Sequence, residues 1–480
     1  MKAFAKYAVT LWALLSLAGC NDYYADAGAA GSQGVADTKA NSWMHSVLSQ
    51  WYLYNEEVGS LPDYAFRSNY RTFLSDYLTG MKTNTDDGGY RNGKRYLYST
   101  VERKASTRSF SGIEPSFGLG MIFTEGDSHG SRLVGRVIYV HEDSPASKAG
   151  IERGMWFYKI NGEDITYFNY AKIATPEAGS NITLSQASVR YSGGSIDAAP
   201  TGRHFNLTAE SVPRSPILAH KVFENDGRKT GYLAYLQFER GYQGYNSTEY
   251  EQQLKEVFSD FRQRGIDELI LDLRYNPGGY TVTCRLLASL IVRSDRLGTT
   301  YSQNRYNASH GTQVETFDSE VSMYNIDMSR IYVLATERTA SASENIINSL
   351  RGADVQVIHI GTTTEGKNVG MTLFEKNGLN GYDYDFWPVT FRMYNAKGES
   401  DFGSGFTPDR RIDEWDISYI DSWKELGDSD ELLTAAALEM ICGQEYSVTQ
   451  STRAAGIRIP AAAATSDLTS RGGMRQIQEN

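Results

Sequence analysis

The sequence is poor in cysteine, has no excess of positive charge, and contains few histidines. Its three cysteines are spread over 480 residues with neither metal-ligand nor disulfide-framework spacing. A structural metal and a disulfide scaffold are therefore both unexpected, as is any cofactor. Lysine and arginine total 47 against 58 acidic residues, a formal charge of −11. No basic stripe with interleaved aromatics runs through the chain, which argues against nucleic acid as the main partner. Of the seven histidines, none falls in a loop that clearly reaches the candidate nucleophile discussed below. His359 sits in the strand-like "VQVIHI", where a core or sheet-face role is expected.

A long final membrane span is also missing at the N-terminus. Lys2 and Lys6 precede an apolar stretch at 7–18 that is too short to cross a bilayer but suits an export signal. It ends in Leu17-Ala18-Gly19-Cys20, which resembles the lipobox of bacterial lipoproteins. The resemblance implies a signal peptide at 1–20, lipidation of Cys20, and a membrane partner through that lipid. The location implied is the bacterial cell envelope, facing the periplasm or the cell surface. Residues 21–39 are rich in Ala, Gly and Asp and poor in large apolar side chains, so they read as a flexible tether. Of the remaining cysteines, Cys284 lies in "TVTCRLLASLIV", where a buried free thiol is expected.

The length calls for two or three domains plus tails. Residues 40–106 place apolar side chains at helical intervals, with Gly80 as a stop signal, and read as a small helical N-terminal domain without visible chemistry. Residues 107–212 change to short strands and turns. From 213 to 447 strands and helices alternate: "TGYLAYLQF", "YEQQLKEVFSDFRQRG", "ELILDLRY", "RIYVLAT", "VQVIHIG". That order predicts an α/β domain with a largely parallel sheet and its chemistry in loops beyond the strand C-termini. Residues 448–480, small, polar and Ala-rich, are expected to be a disordered or loosely held tail.

Two motif matches fail on context. Gly126-Asp-Ser128-His-Gly130 fits the G-x-S-x-G pattern but lies in a polar turn between strands, without the strand–turn–helix setting the motif needs. Gly361-Thr-Thr-Thr-Glu-Gly366-Lys367 resembles a phosphate-binding loop. Asn368 replaces the magnesium-binding hydroxyl, and "VGMTLF" continues as a strand rather than a helix.

Three loops carry the chemistry. "DLRYNPGG" ends a buried strand, and its Gly278 and Gly279 can turn bare N–H groups toward a substrate oxygen. "RTASASENIIN" holds Ser341 three residues before Glu344, the spacing of a helix capping box. At a helix N-terminus, backbone N–H groups favour negative charge developing on the hydroxyl. A serine needs a base, and a buried lysine with a lowered pKa can replace histidine.

Together "DLRYNPGG", "TASASE" and "GTTTEGK", in that order and followed by "GFTPDRRIDEWD", closely resemble the C-terminal processing peptidases, also called tail-specific proteases. That resemblance implies an α/β catalytic domain with a ClpP/crotonase-like sheet and helices, joined to a PDZ-like β-rich domain and a small helical N-terminal domain. It implies a serine endopeptidase acting in or near C-terminal tails of exported polypeptides. By position, Ser341 is the implied nucleophile and Lys367 the base. Gly278, Gly279 and Ala342 are the implied oxyanion donors, with Glu344 in support. "SPASKAGI", Gly154 and "KINGEDI" resemble a PDZ core whose carboxylate-binding loop is Phe117-Gly118-Leu119-Gly120. Two positions depart from the family pattern. Gly154-Met155 stands for the usual Gly-Asp, and Met371 stands where many members have a glutamine that helps hold the lysine. A catalytically inactive, lipid-anchored peptide-binding scaffold is the alternative that Met371 encourages. The oligomeric state is left open.

Overall fold

The computed structural model describes residues 37–443 apart from 82–85, 92–93, 106–112, 127–131, 193–194, 212, 226 and 380. It also describes 458–459, 461, 463–465 and 475–477. Cys20, the export signal and most of the tether lie outside these residues, as do Ser128 and Gly130 of the rejected serine motif.

A six-stranded sheet organises residues 217–411. Its order is Ile217–Asn225, Arg228–Tyr235, Glu268–Asp272, Arg330–Ala335, Gln356–Gly361 and Arg410–Arg411. The first pair is antiparallel and every later pair is parallel. The parallel strands "ELILD" and "RIYVLA" are buried along almost their whole length. Such apolar runs are what a sheet covered on both faces requires. Helices Glu249–Arg264, Thr281–Ile291 and Ala342–Gly352 supply residues to the apolar cluster on one face, while Leu432–Cys442 packs on the other. Gly265, at φ +65°, closes the first of these helices in the left-handed conformation expected of a glycine stop. The α/β expectation for this region holds, and the chain is a mixed α/β fold.

Two further sheets flank this one. Residues 119–208 form a β-rich unit ordered Leu119–Glu125, Leu133–Val140, Trp156–Ile160, Asn181–Ser192, Ser195–Thr208. The other sheet contains Thr300–Tyr306, Val369–Leu379, Tyr382–Trp387 and Val389–Tyr394, with Thr100–Ala105 pairing at its edge.

Two expectations concern the ends of the chain. Residues 40–106 hold helices Thr38–Trp51 and Tyr70–Thr79 but also three short strands. The helices share one apolar cluster with Val369, Met371, Phe386 and Val389, so this stretch packs against the sheet that those residues belong to. The 448–480 stretch is expected to be loose; among its described residues, Ala463–Ala464 pair with Leu119–Glu125, and Arg475–Ile477 pair with Val369–Leu379. Alanine lacks bulk to drive a core, yet its small side chain lets a backbone approach a sheet edge closely; composition alone hides that outcome.

Candidate active site

The strands Glu268–Asp272, Arg330–Ala335 and Gln356–Gly361 are neighbours in one parallel sheet. Adjacent strands sit about 4.8 Å apart, so the loops leaving their C-terminal ends must converge. These are the three loops singled out from sequence.

Asn276 fastens the first loop to the second. Its side-chain amide donates to the Tyr235 carbonyl at 3.0 Å and its Oδ1 accepts from the Gly278 N–H at 2.9 Å. The Asn276 carbonyl accepts from the Ala340 N–H at 3.1 Å and the Ser343 hydroxyl at 2.9 Å. Ser343 thus has a structural partner, which separates its role from that of Ser341. Thr336 and Thr339 add hydroxyl bonds to the carbonyls of Arg274 and Leu273.

Ser341 is fully buried and precedes the helix Ala342–Gly352 with φ +59° and ψ −109°. A non-glycine residue in such a sparsely populated region costs about 1–3 kcal/mol and persists only where its surroundings hold it. Here the holding group is Glu344. Its Oε2 accepts from the Ser341 N–H at 2.9 Å, the reciprocal half of a capping box. The same Oε2 accepts from the Lys367 N–H at 2.8 Å. One carboxylate oxygen therefore bridges the backbones of Ser341 and Lys367. Oε1 takes the Thr364 hydroxyl at 2.6 Å and the Gly366 N–H at 2.7 Å. Burial pushes the Glu344 carboxyl up to about 7, against the pull of these four donors toward the charged form.

Two glycines border the serine where larger residues cannot. Gly278 and Gly279 have φ of +115° and +144°. A Cβ on Gly278 would stand 3.2 Å from both the Ala342 nitrogen and the Ser341 Cβ, and one on Gly279 would stand 2.4 Å from the Phe238 carbonyl oxygen. The Gly278 N–H is already engaged by Asn276. Among the described residues, no acceptor pairs with the N–H of Gly279 or Ala342. Gly278 packs closely against the backbone of Ser341 and Ala342.

Lys367 is 3% exposed. Its Nζ lies 3.9 Å from the Met371 thioether sulfur and 4.4 Å from the centre of the Tyr98 ring. Met371 thus stands beside the amine as a weak acceptor. Tyr98 comes from the N-terminal stretch read as chemically silent, so that stretch reaches the site after all. A ring face favours a cation whereas burial opposes one. Neither Tyr98 nor the Asn276 and Thr364 anchors emerged from the sequence reading, although Asn276 and Thr364 lie inside the quoted motifs. A polar residue flanking tight turns is the signal that could have flagged them.

The other named residues fall elsewhere. Phe117, Gly118, Leu119 and Gly120 lie at the start of the β-rich unit, where the Gly118 N–H donates to Ser116 Oγ at 2.8 Å. His359 is buried in the sheet, with Nε2 3.2 Å from the Ala335 carbonyl oxygen and its pKa lowered by burial, as a neutral core histidine. The strand Val369–Leu379 follows Lys367 with no helix between, in line with the rejection of a phosphate-binding loop. Cys284 is buried; its thiol donates to the Ala342 carbonyl at 3.0 Å, and burial pushes its pKa up to about 12.

Sequence and structure comparisons agree with this geometry. The family model for the peptidase S41 N-terminal domain matches residues 39–111, and that for peptidase family S41 matches 229–412. Together these cover more than half of the chain and include all three loops. A carboxyl-terminal-processing protease of Picosynechococcus sp. is 26% identical over 315 residues, 65% of this chain and 67% of that protein. Its counterpart in Synechocystis sp. is 25% identical over 302 residues, 62% of this chain and 63% of that protein. A crystal structure assigned to the S41 proteases, from Bacteroides fragilis NCTC 9343, superposes with a TM-score of 0.68 at 27% identity. The superposition covers 84% of this chain and 97% of the other. The chain belongs to peptidase family S41, the serine peptidases of the C-terminal processing type.

Proposed function

We propose that the chain hydrolyses peptide bonds with a Ser341–Lys367 dyad, acting in or near the tails of polypeptides. The observation that carries this reading is the Glu344 carboxylate, which binds the backbones of both residues at once. In this scheme the Lys367 amine, uncharged, accepts the Ser341 proton as the serine oxygen bonds to the substrate carbonyl carbon. The carbonyl oxygen takes up negative charge facing the N–H groups of Gly279 and Ala342. Collapse of the tetrahedral adduct breaks the C–N bond, and the Lys367 ammonium returns its proton to the leaving amine. Water, deprotonated by the same amine, then attacks the acyl ester; the ester C–O bond breaks and the ammonium returns the proton to the Ser341 oxygen.

The β-rich unit is proposed to act as a PDZ-like module that docks the tail as an added strand along Leu119–Glu125. Main-chain bonds along such an edge give affinity, and side-chain pockets give preference. With the Gly118 N–H engaged by Ser116, the strand edge is the part of this loop region best placed to hold a peptide backbone.

Met371 favours the second reading, an inactive scaffold, because a thioether holds an amine less firmly than an amide oxygen. Met371→Gln separates the two. A working dyad predicts cleavage of an unstructured peptide by both forms, with kcat of the variant equal or higher by up to about tenfold. Peptide bound but left whole by both forms, as read by mass spectrometry, would favour the scaffold.

Glu344 predicts a pH signature. Only its carboxylate can accept from all four donors, so kcat should rise as pH passes about 7. Glu344→Gln places an amide N–H against two donors and should lower kcat at least tenfold. Stability runs the other way. The folded pKa lies above the unfolded 4.5, so this group's contribution is complete below about 4.5 and lost as pH rises through about 7. The wild-type Tm should therefore fall more between pH 5 and 8 than that of Glu344→Gln, and equal falls would contradict the assignment.

A further inference from the structure

The chain's own last described segment lies against both sides of the proposed machinery. It begins at Arg458, whose guanidinium pairs with Glu337 in the loop leading to Ser341 and meets Asp413 at 2.9 Å. The Ile459 N–H donates to the Trp415 carbonyl at 3.0 Å, and the Ile459 side chain is buried. Ala463 and Ala464 then pair antiparallel with Phe123 and Ile122. Thr465 completes the pairing: its N–H donates to the Met121 carbonyl at 3.0 Å, and its Oγ1 accepts from the Met121 N–H at 3.3 Å. Residues 475–477 form a strand parallel to Met371, Thr372 and Leu373, beginning beside the residue that touches the Lys367 amine.

The strand Leu119–Glu125 has Leu133–Val140 on one side, and this segment fills the other. That other side is the edge on which a docked peptide would lie. Ala463 belongs to the apolar cluster of Phe117, Leu119, Phe123 and Tyr170, so the pocket under that edge accepts a methyl group. Ala464, the next residue, turns to the opposite cluster with Ile122, as strand alternation requires.

We propose that the described residues 458–459, 463–465 and 475–477 act as a resident intramolecular competitor of substrate, and that the Leu119–Glu125 edge selects extended peptides with consecutive small side chains followed by a hydroxyl residue. This rests on the reading of that edge as the peptide-docking site. So short a pairing contributes little by itself, since each backbone hydrogen bond nets about 0.5–1.5 kcal/mol. Tethering raises its effective concentration to about the millimolar range, which keeps the edge filled until a better peptide arrives. The competitor therefore sets a threshold for substrate without closing the site permanently.

The test uses a fluorescent peptide copying residues 458–470, with binding read by anisotropy in the Ser341→Ala background so that nothing is cut. Three chains are compared: full length, a chain ending at residue 457, and full length with Thr465→Pro. Proline at 465 removes the N–H bonded to Met121 and takes away the hydroxyl, leaving the rest of the chain in place. The prediction is that both altered chains bind the peptide at least tenfold more tightly than the full-length chain. A thermal melt establishes that each is folded; if truncation unfolds the chain, Thr465→Pro decides alone. Equal affinity in the full-length and Thr465→Pro chains would overturn the competitor while leaving the docking edge standing. No binding by any folded chain would remove the docking edge, and the competitor with it.

Discussion

Ser341→Ala should lower kcat for an unstructured peptide by about 10⁴-fold or more and leave the fold intact, because nucleophile and base act as a unit. The hydroxyl is the atom lost, while the features that strain and hold the backbone at 341 remain: Glu344 still accepts the N–H, and Asn276 still ties Ala340 and Gly278 into place. Lys367→Ala should fall to a similar level, and the double variant should be no worse than either single one. Ser343→Ala is the informative control. Its hydroxyl bonds the Asn276 carbonyl, so its loss should cost about 1 kcal/mol of stability and keep most of the activity. Comparable collapse of activity in Ser341→Ala and Ser343→Ala would leave the nucleophile unassigned.

Arg153→Ala should destabilise the chain by about 3–5 kcal/mol, the cost of breaking a buried charge network by removing one of its cations. Arg153 belongs to the β-rich unit, yet its side chain is sunk among catalytic-domain groups. It contacts Glu414 at 2.8 Å and Glu431 at 3.7 Å, and donates to the Tyr275 hydroxyl at 3.0 Å and the Lys424 carbonyl at 2.6 Å. Arg274 completes the network, pairing with Asp272, Glu414 and Glu431. Burial works to raise the Glu431 carboxyl, but Arg274 and Arg153 hold it at about 2. Its contribution to stability is therefore present above about 4.5 and lost only as pH falls through about 2.

Tyr275 and Arg274 flank the glycine loop, so this network fixes the β-rich unit to the same segment that borders Ser341. An exposed pair within that unit, Arg132 with Asp164 at 3.2 Å, supplies the contrast. Arg132→Ala should cost less than about 1 kcal/mol. Urea midpoints measured on both variants decide the matter, and equal small shifts would show that the buried cluster does not hold the two parts together.

The candidate site was legible in sequence where the proposed chemistry depends on residue type in a short loop. Ser341, Lys367, Glu344 and the paired glycines all follow strands whose apolar runs identify a buried parallel sheet. The convergence of their loops follows from strand adjacency. Division of labour between the glycines was not legible. The Gly278 N–H is consumed by Asn276, a side-chain choice that nothing in "NPGG" dictates.

Long-range contributions were hidden for a different reason. Tyr98 reaches Lys367 across more than two hundred residues of chain, and Arg153 reaches Tyr275 from 122 residues away. Neither carries a periodic or spacing signal. The pairing of Ala463 and Ala464 was hidden because edge pairing depends on a receptive strand elsewhere, and composition alone resembles that of any loose tail.

The decisive measurement is covalent labelling with a fluorophosphonate, followed by peptide mapping of the modified residue. The reagent forms a bond to a serine oxygen only where a base removes the proton and donors stabilise the developing charge. The dyad predicts one adduct, on Ser341, in the wild-type and Ser343→Ala chains, and none at matched exposure in Lys367→Ala. An adduct on another serine, or labelling of Lys367→Ala at the wild-type rate, would contradict the assignment of Ser341 and Lys367 as nucleophile and base.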